Sequence, residues 1–132
     1  MKPGAKGGDL LYVGSSGVDE VYVYKFPGGQ SVGTLKGFDN PLGLCSDTQG
    51  NVWVTNAPSN GKTYLLEYAH GGTKPIARLD DSGFLPLACS IDATTGNLAV
   101  GNSIDDVAIW KKARGKPSYY LTSCCVFAPS TI

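Results

Sequence analysis

The heptapeptide GNVWVTN at Gly50–Asn56 has a near copy, GNLAVGN, at Gly96–Asn102. Each opens on Gly-Asn, a pair suited to a hairpin turn, and continues with residues that favour extended backbone and alternate in face. Val52 and Val54 share one face of the first copy and Trp53 takes the other. A turn leading into a strand is therefore written twice.

The surroundings repeat as well. VYVYKFPGGQSVGTL ends at Leu35, YLLEYAHGGTKPIARL at Leu79 and VAIWKKARGKPSYYL at Leu121. An aromatic stands eleven positions before each leucine, at Tyr24, Tyr68 and Trp110, so the copies are 44 and 42 residues apart. PLGLCSD at Pro41–Asp47 is matched by PLACSID at Pro86–Asp92, with the cysteines one position out of register, and DLLYVGS at Asp9–Ser15 is a looser copy of the opening motif. A period in the low forties is too long for the shorter helical and leucine-rich repeats and suits a propeller blade of four short strands. Turn signals separate the strands: DTQGN and DATTGN between first and second, FPGG and AHGG between third and fourth. No twelve-residue window keeps an apolar period of 3.6, so the expectation is an all-β chain of four-stranded antiparallel β-propeller blades with essentially no helix.

The order P-x-G-L-x-x-D, then G-N-V-W-V-T-N, then Y-L-L-E-Y, then an outer strand ending in a hydrophobe resembles the NHL-type six-bladed β-propeller family, particularly its bacterial secreted members. The resemblance runs from about residue 9 to 122. It implies hairpin turns at Asp47 with Gly50 and Asn51 and at Asp92 with Gly96 and Asn97, the aspartates acting as turn caps; glycine's tolerance of positive φ and the capping habit of Asx side chains point the same way. By this phase the units fall at about 9–40, 41–85 and 86–128, with a flexible N-terminus at 1–8 and an irregular or truncated C-terminus at 123–132. About two and a half to three blades form an incomplete ring, whereas propellers close with about four to eight. The chain is expected to be a fragment of a longer protein or one half of a head-to-tail homodimer that completes a six-bladed ring.

A hydrophobic content of 42% with 17% charged residues argues for a packed core, and 18 Gly with 8 Pro for many turns. Eleven basic and eleven acidic residues cancel, which predicts no global field toward nucleic acid or an anionic membrane. No apolar run is long enough to span a bilayer, and the opening MKPGAKGGDLLYV lacks a signal-peptide core. Cys45, Cys89, Cys124 and Cys125 fit one or two bridges in an oxidising compartment, with three full connectivities open, or serve as small buried hydrophobes. The resemblance places the full-length protein in the extracellular space or periplasm.

Candidate chemistry is sparse. The acidic pairs Asp19-Glu20 and Asp105-Asp106 occupy one repeat position and offer oxygen ligands to a divalent cation, or merely polar hairpin tips. Asp80-Asp81 reads as loop after an outer strand. Sugar-lactonase propellers set a Glu, an Asn and an Asp around a metal, but Glu67 lies in a strand without a matching partner motif and Glu20 is the only other glutamate. A related streptogramin lyase depends on histidine; the single His70 sits in the AHGG turn and reads as exposed. KKARGK at Lys111–Lys116 concentrates cations in one loop and reads as a solvated hairpin, since the loops at its repeat position are not comparably basic. Gly28, Gly29, Gly71 and Gly72 are turn glycines with no following helix to form a phosphate loop, while Tyr12, Trp53, Tyr24, Tyr68 and Trp110 suit packing between blades.

No catalytic, cofactor-binding or metal-binding residue is assigned, and no cofactor. The function expected is a non-enzymatic binding or scaffold module with an unknown protein or small-molecule partner and no nucleic acid. The alternative is a fragment of a metal-dependent, lactonase-like hydrolase or lyase whose active residues lie mostly outside this chain.

Overall fold

The computed structural model describes residues 1–81, 85–103 and 106–122. Eleven strands form three antiparallel meanders. The first holds β1 (Leu10–Ser15), β2 (Glu20–Lys25) and β3 (Ser31–Leu35). The second holds β4 (Pro41–Ser46), β5 (Val52–Asn56), β6 (Thr63–Tyr68) and β7 (Pro75–Asp81). The third holds β8 (Pro86–Ile91), β9 (Leu98–Asn102), β10 (Asp106–Trp110) and β11 (Tyr119–Thr122). Their order, β1-β2-β3, β4-β5-β6-β7 and β8-β9-β10-β11, makes β1 the equivalent of β5 and β9, so the first blade begins at its second strand.

The middle blade is covered on both faces, and its sequence shows why. Tyr68, Val52 and Val54 face the first blade, meeting Val21, Val23, Leu35 and Phe38. Trp53, Leu65 and Leu79 face the third, meeting Leu98, Val100, Ala108 and Trp110. Alternation in an exposed sheet would bury every second residue; here all five residues of β5 are buried because both parities have a neighbour.

The DTQGN and DATTGN turns form as expected. Asp47 Oδ1 accepts from the amides of Gln49 and Asn51 at 2.8 and 2.9 Å, and Asp92 accepts from Thr94 and Thr95. Gly50 and Gly96 adopt φ of +83° and +76°, which a side chain would strain. The third blade also holds a three-residue 3-10 turn at Lys111–Ala113, the one helical element among the described residues of an otherwise all-β chain.

Near the prospective ring axis, β4 and β8 approach so closely that a Cβ on Gly43 would lie 2.8 Å from the Leu87 carbonyl. The Thr55 hydroxyl joins three strands there, accepting from the Gly43 amide at 2.7 Å and donating to the Pro86 carbonyl at 2.8 Å. Apolar packing and this polar clasp together fix how the second and third blades meet.

Residues 1–8, expected to be flexible, make specific contacts. Ala5 is 2% exposed, the Lys2 amide donates to the Val32 carbonyl at 2.7 Å, and the Lys25 ammonium donates to the carbonyls of Gly4 and Gly7 at 2.6 Å each. The turns at Gly4 and Gly8, both with positive φ, let the segment fold back across the first two blades.

Candidate functional site

The four cysteines left their pairing open; the structure joins Cys45 to Cys89 across 44 residues, with Cα atoms 5.6 Å apart. Cys124 and Cys125 lie outside the described residues. The one-position offset between the two repeats accounts for this pairing. Residues at identical positions of neighbouring blades point the same way round the ring, so they do not face each other. Cys45 pairs across its ladder with Trp53, whereas Cys89 pairs with Val100, one residue beyond the equivalent position. A shift of one residue reverses the face, and both sulfurs turn into the same seam.

Strand direction gives the stack two ends. The crossover end carries the β3–β4 and β7–β8 connections together with the β1–β2, β5–β6 and β9–β10 turns. The basal end carries the opposite turns and the N-terminal segment. At the crossover end lie Asp19, Glu20, Asp39, Asp80, Asp81 and Asp106, against Lys36, Lys62 and Arg78, the last paired with Asp80. The basal end gathers seven of the eleven lysines and arginines: Lys111, Lys112 and Arg114 after β10, with Lys2 and Lys6 from the N-terminal segment and Lys25 and Lys74 from the first two blades, while Lys116 lines a cleft with Lys62, Asp80 and Asp81. Against them stand Asp9, Asp47, Glu67 and Asp92. Zero net charge thus conceals a partial axial separation of sign.

The acidic pairs hold loops rather than one another. Asp19 Oδ1 accepts from the Asn40 amide at 2.8 Å, Glu20 lies 3.6 Å from the Lys36 ammonium, and Asp106 accepts from the Asn102 side chain at 2.5 Å. Asp105 is outside the described residues. Asp80 and Asp81 are in β7, not in a loop, and Asp80 pairs with Arg78 at 2.9 Å. Among the described residues no three His, Cys, Asp or Glu side chains converge as metal ligands. His70 is partly covered rather than an exposed turn residue: its ring packs beside Gly50 and its Nε2 lies 2.9 Å from the Gly8 carbonyl, which pins the N-terminal segment to the second blade.

A cleft of about 870 Å³ opens at the basal end of the seam between the second and third blades. Asp47, Asn51 and Glu67 line one wall, Lys112 and Arg114 the other, and Trp53 contributes as well. Partial burial pushes the Glu67 carboxyl up from its ordinary pKa, and the Asp47 charge adds to this; a hydrogen bond from Asn51 and the Arg114 charge oppose both. No local motif pairs Glu67 with a partner. Its partners come from the β4–β5 turn, which supplies Asp47 and Asn51, and from Arg114 of the next blade, and the register pairing of Glu67 with Trp53 places it on the seam-facing side. Because its pKa rises on folding, ionising Glu67 opposes stability: its favourable contribution is present at low pH and is lost as pH rises through the folded-state pKa. Glu67→Gln is therefore expected to unfold at higher denaturant than the parent at neutral pH, with the difference shrinking in acid. Equal midpoints at neutral pH would contradict the assignment.

The cleft sets a carboxyl of raised pKa beside two cations. His70 belongs to the other seam, so no imidazole stands over it. The arrangement can bind a polar group; it does not align a nucleophile with a base.

No family model matches the chain, and no curated protein matches it. Among solved structures, the Dos1 propeller is similar at a TM-score of 0.63 and 11% identity over 92% of this chain. A structure titled Kuenenia stuttgartiensis hydrazine synthase gives a TM-score of 0.71 at 12% identity over 89%, and one titled nidogen/laminin complex gives 0.67 at 22% over 84%. These likenesses establish the β-propeller fold. This chain spans 38%, 34% and 42% of those three chains.

Proposed function

We propose that the chain is a non-enzymatic binding and scaffold module of NHL-like propeller type, an arc whose two end faces each receive another blade. One observation carries this reading. Tyr24 occupies the repeat position of Tyr68 and Trp110, and those two are buried in the two seams. Tyr24 instead lies on the uncovered face of the first blade, across from Leu11 and beside Val13 and Tyr22. At the other end, Tyr119 and Leu121 are about half exposed, across the ladder from Ile109 and Val107, on a face that no blade covers among the described residues. Both ends therefore carry seam chemistry without a seam.

A second copy supplies both missing partners at once, giving a head-to-tail homodimer with a six-bladed ring. Light scattering is expected to give twice the chain mass, and Tyr24→Glu to give the single chain mass with an unchanged circular dichroism spectrum. A folded parent chain that stays monomeric at high concentration would overturn self-completion. Export of the full-length protein fits this reading, because a Cys45–Cys89 bridge persists in an oxidising compartment.

The alternative, part of a metal-dependent lactonase-like hydrolase or lyase, has Glu67 beside Asp47 in its favour. Metal-dependent lactone turnover that disappears in Glu67→Gln would replace the binding reading with that one.

A further inference from the structure

We propose that the basal end is a docking surface for an anionic phospholipid bilayer. Cations reach it from every blade: Lys2 and Lys6 by way of the N-terminal segment, Lys74 from the β6–β7 turn, and Lys111, Lys112 and Arg114 from the third blade. Neither of the salt bridges found among the described residues engages any of them. Asp47 and Asp92 cap backbone amides in their own turns, yet Asp9 and Asp92 are exposed and subtract from the positive charge here. The cations outnumber the anions at this end and are spread across three blades rather than confined to one loop.

Two apolar side chains stand among them. Phe26, at the β2–β3 turn, is 56% exposed, and Ile76, at the start of β7, is 57% exposed. Both stand at the basal end of their strands, on different blades. Against a polar polyanion such as a nucleic acid or a sulfated polysaccharide, an exposed Phe and Ile gain little from leaving water. Against a bilayer they enter the headgroup and acyl boundary while the lysines stay at the anionic surface, and both groups of side chains contribute together. The acidic crossover end is then directed away from the membrane, which orients the bound molecule.

The probe is vesicles of phosphatidylcholine carrying about 30% phosphatidylserine, compared with vesicles of phosphatidylcholine alone. The chain is expected to sediment with the first and not the second, and to be released by high salt. Reversal of the three cations in Lys111→Glu, Lys112→Glu and Arg114→Glu should weaken binding by on the order of a hundredfold or more. Phe26→Ser with Ile76→Ser should weaken it about tenfold or more with every charge kept. Lys112 and Arg114 also line the cleft beside Glu67, so Lys6→Glu with Lys74→Glu, exposed and away from that cleft, should weaken vesicle binding too while keeping the parent's circular dichroism spectrum and unfolding midpoint. Failure to sediment with the anionic vesicles overturns the proposal. Vesicle binding that ignores Phe26→Ser and Ile76→Ser, with equal binding to heparin or single-stranded RNA, also overturns it and marks the surface as a general polyanion patch.

Discussion

Replacing Cys45 and Cys89 together with serine is expected to lower the free energy of unfolding by about 4 kcal/mol, the chain-entropy value for a closed loop of this length. The bridge spans 44 residues, most of the middle blade, so in the unfolded chain it removes many conformations. Its location adds a second effect. The sulfurs join β4 to β8, strands that already meet through Gly43 and the Thr55 clasp, so the folded state holds them close without rearrangement. Denaturant unfolding of the oxidised parent, the reduced parent and the double serine variant measures the difference. The last two should agree and fall well below the first; three coincident curves would show that the bridge does not contribute.

Trp53→Ala is expected to cost about 3–5 kcal/mol, the range for truncating a large buried aromatic. Trp53 is 1% exposed, and its ring is enclosed by Leu65 and Leu79 of its own blade and Leu98, Val100 and Trp110 of the next. It also lies across the ladder from Cys45, so the ring and the bridge hold one seam. Their losses should not add, because whichever is removed first weakens the setting of the other. Stacked repeats are coupled chiefly to their neighbours, so damage at this seam should free the third blade before the first two. Hydrogen exchange in Trp53→Ala should show β8 to β11 losing protection ahead of β1 to β7. Simultaneous loss throughout would mean that the three blades unfold as one unit.

The fold was legible because its signals are local and recur. Tyr24, Tyr68 and Trp110 mark one strand position in each blade, and the Asp47 and Asp92 turns need only residues within a few positions of each other. What stayed hidden depends on geometry between blades. The cysteine offset looked like imperfect repetition until the strand faces were known, and then it specified which sulfurs meet. Glu67 looked isolated because Asp47 and Asn51 reach it from the β4–β5 turn and Arg114 from the next blade, all distant from it in sequence. The separation of charge was invisible to a net sum, since a sum carries no positions. Residues 1–8 read as a loose lead-in because glycine and lysine suggest no packing, yet the Lys25 ammonium and the Val32 carbonyl gave their backbone groups partners.

The bridge between the second and third blades also decides how the molecule would carry mechanical load. Tension applied through the two termini passes from Cys45 directly to Cys89 and bypasses the residues between them. β5, β6 and β7 are therefore shielded while the bond is intact, and only the segments outside the loop can be drawn out. Reduction would place those three strands in the path of the force and lengthen the extensible chain by the whole of the loop.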